Sequence, residues 1–100
     1  MFPGTTPTHI FKDFPFSSSE VAALRITYEQ SGKIVLQKEK DDCTIADGCL
    51  TVKLTQKDSL QFASNVNVRI QIKARTVGGD VVLSNLINKS VKIVLDKEEI

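Results

Sequence analysis

The most regular stretch of this chain is a run of alternating apolar and polar residues at positions 65–75. Its apolar members are Val66, Val68, Ile70, Ile72 and Ala74, and its polar members are Asn67, Arg69, Gln71, Lys73 and Arg75. Successive side chains of a β-strand point to opposite faces. The run therefore predicts a strand with one buried face and one charged, solvated face.

Shorter runs of the same kind, separated by turn residues, predict further strands. They lie at 8–12, 20–30, 33–40, 43–45, 49–54, 81–86 and 90–95. The first is at most a short edge strand, because Pro15 follows it and proline cannot donate to a ladder. In the last, Val91, Ile93 and Leu95 are expected to face the core.

Residues 20–30 carry two competing patterns. Ser17 and Glu20 have the spacing of a helix capping box, and Val21, Leu24 and Tyr28 stand at helical intervals. The alternation around Ile26 and the preference of Ile, Thr and Tyr for strands favour a strand. We predict a strand here, entered through one helical turn.

Two local signals place a hairpin and a helical turn in the middle of the chain. Asp47-Gly48 tolerates the positive φ of a tight hairpin turn and joins the strands at 43–45 and 49–54. Thr55 is a good N-cap for a turn containing Asp58. Leu60 and Phe62, which follow, are expected to close one end of the core.

These elements predict an all-β fold, an antiparallel β-sandwich or barrel of about seven strands with one short helical turn. The cysteine and tryptophan hallmarks of antibody domains are absent, so the sandwich is immunoglobulin-like in architecture only. A length of 100 residues indicates one domain, residues 1–100. Within it, residues 1–7 are predicted to form a flexible N-terminal arm and residues 96–100 a frayed tail.

Composition and charge exclude several classes of function. The formal net charge is +1, which gives no global field for nucleic acid or for an acidic membrane. No run is apolar for the roughly 18 residues of a membrane helix, and the N-terminus lacks the pattern of a secretory signal. We therefore expect a protein made in the cytoplasm, not secreted through a signal peptide, with no nucleic-acid or membrane partner.

The residues that usually carry catalysis do not form a recognisable constellation. His9 is the single histidine, and its predicted position is on the surface or in an edge strand. Nothing in the sequence indicates a lowered pKa for Cys43 or Cys49, and their spacing is not that of a zinc site. Two free structural thiols are therefore predicted. We expect no enzyme activity, no catalytic residue and no cofactor.

The acidic, glycine-rich and basic clusters of the sequence do not have the features of known binding sites. Asp41, Asp42 and Asp47 match no calcium loop and are interpreted as turn acids. Residues 78–80, Gly-Gly-Asp, lack the lysine of a phosphate loop and predict a hairpin turn. The basic stripe Arg69, Lys73 and Arg75 has no interleaved aromatic residue, so it is interpreted as solvated or facing acidic residues of a neighbouring strand or subunit. No metal site is predicted.

Strand edges offer a different route to function, because an unpaired edge can add another chain. The charged end Lys38, Glu39 and Lys40, together with Pro15, is interpreted as edge protection. Homo-oligomer formation by strand addition or by exchange of the 1–7 arm remains a hypothesis.

Several stretches between residues 16 and 94 also resemble a known class of proteins. They are R-I-T-Y-E-Q-S-G-K-I-V-L-Q-K at 25–38, D-C-T-I-A-D-G-C-L-T-V-K-L-T-Q-K-D-S-L-Q-F at 42–62, V-R-I-Q-I-K-A-R at 68–75, Gly78-Gly79, and V-V-L-S at 81–84. Their order resembles small proteins encoded in the tail and baseplate regions of prophages and tailed phages of Gram-positive bacteria. It is similar to the immunoglobulin-like N-terminal domain of baseplate upper proteins.

The resemblance implies a non-catalytic structural or accessory protein whose partners are other phage structural proteins. The chain ends at Ile100 without the receptor-binding-protein attachment region of baseplate proteins. A baseplate, a head–tail joint and a role outside the virion therefore all stay open, and synthesis in the host cytoplasm is implied in each case. The alternative is a carbohydrate-binding or adhesion module, which usually requires exposed aromatic residues. This chain has no Trp and one Tyr, Tyr28, expected to pack inward.

Overall fold

A computed structural model describes all residues, 1–100. Eight strands and one short helix follow one another along the chain. They are β1 (Thr8–Phe11), β2 (Val21–Gln30), β3 (Lys33–Glu39), β4 (Cys43–Ala46), β5 (Cys49–Lys53), α1 (Gln56–Leu60), β6 (Val68–Thr76), β7 (Val81–Leu83) and β8 (Ile87–Lys89). The 3₁₀ turns Ser18–Glu20 and Lys40–Asp42 precede β2 and β4.

The strands form two antiparallel sheets. The smaller sheet has the order β1-β5-β4, and the larger has the order β3-β2-β6-β7, with β8 also paired to β6. Pairings β6–β7 and β6–β8 involve different stretches of β6, so β7 and β8 lie end to end along one side of it. The prediction of an all-β antiparallel fold is confirmed.

Both sheets contribute side chains to one core. Ile26 and Ile70 of the larger sheet, and Leu50 and Val52 of the smaller, are almost completely buried in the same cluster. The alternation in β6 has the predicted sense, since Val68, Ile70, Ile72 and Ala74 are buried and Arg69, Lys73 and Arg75 are exposed. Burial of such apolar surface is the main force that holds the sheets together.

Most local predictions are confirmed. Residues 21–30 form a strand entered through a 3₁₀ turn that ends at Glu20, and Asp47 and Gly48 both take positive φ in the hairpin between β4 and β5. The Thr55 side chain accepts a hydrogen bond from the Asp58 amide at the start of α1. Phe62 is buried at the end of the core, as expected, and Leu60 is half-buried.

The predicted bounds of the long strand and the predicted last strand need correction. The long strand begins at Val68 because Asn65 takes a positive φ and donates its amide to the Val91 carbonyl, which makes 65–67 part of a turn. The predicted strand at 90–95 is wrong, since the last strand is Ile87–Lys89. Within 90–95 only Val91 is buried, and Ile93 and Leu95 are exposed.

The 1–7 segment lies against the body of the protein. Pro3 is buried, the Gly4 amide donates to Ser59 Oγ at 2.9 Å, and that hydroxyl donates to the Thr5 carbonyl at 2.6 Å. The Met1 amino group donates to the Ser90 carbonyl at 2.9 Å. These contacts give the segment defined hydrogen-bond partners at both ends. Amide hydrogen exchange of residues 1–7 tests the predicted flexibility. Residues 96–100 are exposed.

Candidate interaction surface

His9 lies in an edge strand, which is one of its two predicted positions, whereas the surface alternative is wrong because the side chain is buried in the core. In β1 the alternation turns His9 and Phe11 inward, and His9 is 5% exposed. Its Nδ1 lies 2.8 Å from the Tyr28 hydroxyl, and the two ring centroids are 5.6 Å apart. Burial, assisted by the nearby Lys89 charge, lowers the pKa of His9 to about 4.

Tyr28 completes this buried polar pair. It is fully buried, as the sequence predicted, and its ring meets Phe62 edge to face with centroids 5.6 Å apart. Burial raises the pKa of its hydroxyl, so the group stays protonated. The pair is a satisfied, closely packed part of the core, which makes it a structural feature and excludes it as a surface for recognition.

The two cysteines are free thiols, as predicted. Cys43 Sγ lies 3.3 Å from the Glu39 carbonyl and donates to it. Burial, followed by the charge of Asp42, raises the pKa of Cys43 to about 11. A thiol held in its protonated form is a weak nucleophile, in agreement with the structural interpretation.

The acidic residues singled out in the sequence serve turns. Asp42 Oδ2 accepts the Glu39 amide at 3.0 Å, and Asp47 lies in the β4–β5 turn. The structure contains no group of three or more His, Cys, Asp or Glu side chains that could hold a metal ion. Residues 78–80 form the β6–β7 turn, with Gly79 at φ 94° and the Asp80 carbonyl accepting the Thr76 amide.

The outer face of the larger sheet is a solvated, partly paired surface. Arg69 Nε lies 2.6 Å from Glu29 Oε2, and Arg25 Nε lies 3.0 Å from Glu39 Oε1. The predicted meeting of the basic stripe with acidic residues of a neighbouring strand is thus confirmed for Arg69. Both arginine side chains are about half exposed, so water and salt screen the two pairs and each contributes little to stability.

A charged side chain protects the β3 edge of the larger sheet against the addition of another strand. Lys38 pairs with the buried Ile26 across the ladder, so it stands on the inner face. There its Nζ contacts Asp58 Oδ2 at 2.7 Å, and both side chains are mostly buried. An inward-pointing charge on an edge strand prevents another strand from packing beside it, because that charge would lose its remaining contact with water.

The opposite edge, formed by β7, has no charged side chain that points inward. Val81, Val82 and Leu83 are 57%, 41% and 57% exposed, and no strand pairs with their outer side. The Asp80 carbonyl and the Ser84 amide bond to Thr76 and Ile72 of β6. Pairing in an antiparallel ladder alternates, so Val82 bonds to β6, and the amides and carbonyls of Val81 and Leu83 point outward.

An apolar cleft of about 220 Å³ opens beside this edge on the inner side of the sheet. Its walls include Phe14, Phe16, Ile72, Ala74, Val82 and Ile87. The rings of Phe14 and Phe16 meet edge to face, with centroids 5.9 Å apart. We call this edge strand and the adjoining cleft the β7 edge (Val81, Val82, Leu83 and the cleft); Val82 and the cleft lie on the inner face of the sheet, and Val81 and Leu83 lie on the outer face.

The sequence did not identify the β7 edge as a site. Residues 81–86 were predicted as one ordinary strand, whereas the structure ends β7 at Leu83. Ser84 ends it, since its Oγ accepts the Ile72 amide at 2.9 Å and its carbonyl accepts the Gln71 side chain at 3.1 Å. The signal was the absence of alternation in Val-Val-Leu, which is typical of a strand with apolar groups on both faces.

No helix of the structure has the length and apolar character needed to cross a membrane. Comparison with known proteins gives no match among family models, curated proteins or solved structures.

Proposed function

We propose that this chain is a non-catalytic structural or accessory protein that acts through protein–protein contacts made by its β7 edge. The observation that carries the proposal is an unpaired strand with three exposed apolar side chains. Main-chain groups of such an edge supply affinity to an added strand, and the flanking side chains supply specificity. Soluble proteins rarely leave such an edge unprotected without a partner.

The class of assembly is proposed from the sequence resemblance to tail and baseplate proteins of phages and prophages. Two antiparallel sheets around one core support an immunoglobulin-like sandwich, which that resemblance implies. In this proposal the chain is made in the host cytoplasm and meets other phage structural proteins there or in the virion. Fold alone does not imply such a role, so the proposal depends on identifying a partner.

Co-expression with the products of the genes that flank its own tests this function. We expect one of those products to co-purify with the chain and to be lost with Leu83→Lys, which puts a charge on the β7 edge. Ile34→Lys is the matched control, because Ile34 is 64% exposed on the other edge of the same sheet. Failure of every neighbouring product to co-purify, or equal loss with both variants, would contradict the proposal.

No observation in the structure specifically supports the carbohydrate-binding alternative. Tyr28 is fully buried and packs against His9 and Phe62, so its ring cannot stack on a sugar. Saturable, specific binding on a glycan array would nevertheless favour that alternative over the structural role.

A further inference from the structure

We propose that the β7 edge binds a second copy of this chain, with the two β7 strands antiparallel about a two-fold axis at Val82. This inference names the first partner of the surface on which the proposed function rests. It does not depend on a phage origin.

The free main-chain groups of β7 match a copy of themselves. Val81 and Leu83 each direct an amide and a carbonyl outward, and one residue separates them. Placed antiparallel, Val81 of one copy and Leu83 of the other exchange both bonds, and the symmetry repeats the exchange. All outward groups of β7 are then satisfied, and the two larger sheets become one.

Side chains select this register over its neighbours. In it Val82 faces its own copy on the inner side, and Val81 lies beside the copy's Leu83 on the outer side. Shifting the strands one way brings in Gly79, whose φ of 94° is not that of a strand. Shifting them the other way brings in Ser84, whose hydroxyl is already bonded to Ile72. Only the register centred on Val82 pairs apolar strand residues throughout.

Charge is compatible with this arrangement. Asp80 of one copy lies opposite Ser84 of the other, so the two Asp80 carboxylates stand at opposite ends of the pairing. A register that placed like charges directly opposite each other would be destabilised. The nearby basic residues Lys73 and Arg75 lie one strand further from the axis, on exposed positions where solvent and salt screen them.

The size of the surface determines how tight the dimer is. Three strand residues and one cleft cover less than the roughly 1,200 Å² that marks the lower limit of stable interfaces. We therefore expect a reversible dimer whose population depends on concentration. It should be detected in the upper micromolar range and above.

Sedimentation equilibrium of the purified chain, up to about 1 mM, is the first test. We expect a monomer–dimer equilibrium, weakened at least about tenfold by Val82→Lys, because a lysine there would lose its hydration in the interface. Ile34→Lys, on the opposite edge, should leave the equilibrium unchanged. A strict monomer over the whole range overturns the inference, as does a dimer weakened by Ile34→Lys and not by Val82→Lys.

Cysteine cross-linking tests the register. Facing residues of a pair without mutual hydrogen bonds have Cα atoms about 4.5 Å apart, within reach of a disulfide. With Cys43 and Cys49 replaced by alanine, Val82→Cys should cross-link rapidly under glutathione oxidation. Leu83→Cys should cross-link far more slowly, because its copy is a diagonal neighbour about 7–8 Å away. Equal rates for the two variants would refute the two-fold axis at Val82.

These outcomes separate the dimer from the proposed function. A monomer that still captures a neighbouring gene product through Leu83 refutes the second copy as occupant and retains the structural role. A dimer that captures no neighbouring gene product refutes the proposed structural role and retains the second copy as the occupant of the β7 edge.

Discussion

Lowering the pH from 7 to 5 should destabilise this protein through a single side chain, His9. The chain has one histidine, and it is buried against the Tyr28 hydroxyl with a pKa lowered to about 4 from the ordinary value of 6.5. Between these two values the unfolded chain binds a proton that the folded chain does not. Stability from neutral His9 is therefore complete above pH 6.5 and is lost as the pH falls towards 4.

The size of this effect follows from the two pKa values. One pKa unit corresponds to about 1.4 kcal/mol, and pH 5 lies about 1.5 units below the unfolded pKa. The free energy of unfolding should therefore fall by about 2 kcal/mol between pH 7 and pH 5. Below pH 4 the accumulated loss approaches about 3 kcal/mol. Aspartates and glutamates of the unfolded chain titrate near pH 4, so the interval from 7 to 5 reports mainly on His9.

Urea unfolding at pH 7, 6 and 5, followed by circular dichroism, measures the loss. The matched variant is His9→Asn, whose side-chain amide can occupy the position of Nδ1 beside Tyr28 but does not titrate. It should be less stable than the natural protein at pH 7 and yet show a much flatter dependence on pH. The Met1 amino group, whose pKa burial also lowers, is present in both proteins and cancels in the comparison.

A direct titration supplies an independent check. The Hε1 resonance of the single histidine should keep its neutral shift down to about pH 5 in the folded protein. If the natural protein and His9→Asn lose stability equally between pH 7 and pH 5, or if the resonance titrates near 6.5, the buried-pair argument is refuted.

Three further predictions concern the core, a turn and a thiol. Phe62→Ala should lower the free energy of unfolding by about 3–5 kcal/mol in a urea titration, whereas Phe2→Ala, at a side chain 53% exposed, should change it by less than about 0.5 kcal/mol. Gly48→Ala should cost about 1–2 kcal/mol, because alanine is strained at φ 72°. Gly78→Ala should be neutral or slightly stabilising, because Gly78 has no positive φ and an added Cβ would only contact Thr76 Oγ1 at 3.8 Å. Equal effects of the two substitutions would contradict the turn geometry. Cys43, with its pKa raised to about 11, should be alkylated by iodoacetamide at pH 8 far more slowly in the folded chain than in urea. Peptide mass spectrometry measures the two alkylation rates, and equal rates would contradict the raised pKa of the folded chain.

The regular elements of this fold could be predicted because their signals are local. Alternation placed the buried face of β6, and Asp47-Gly48 placed the β4–β5 hairpin, since both depend on neighbouring residues only. The same reasoning failed at 90–95. Val91, Ile93 and Leu95 alternate like a strand, but no strand lies beside them. A pairing partner is a property of the whole chain.

The burial of His9 could not be predicted for a related reason. A histidine between Thr8 and Ile10, next to an N-terminal segment rich in Pro, Gly and Thr, is typical of a surface or edge-strand position. What draws it inward is Tyr28, nineteen positions away in the sequence, which offers a hydrogen bond at 2.8 Å inside the core. Alternation predicts that Tyr28 faces inward, but the contact between the two side chains leaves no local signal, because the partners are far apart in the sequence.

The candidate site follows from comparing the two edges of one sheet. Both edges expose main-chain groups, yet only β3 places a charged side chain, Lys38, on the inner face and holds it with Asp58. A chain that blocks one edge of its larger sheet and leaves the other apolar can add a neighbour on one side only. Two such chains joined at β7 would present β3 at both ends of the merged sheet, and both ends would be blocked. Growth through that sheet would then stop at two copies, because both outer strands of the merged sheet would be β3.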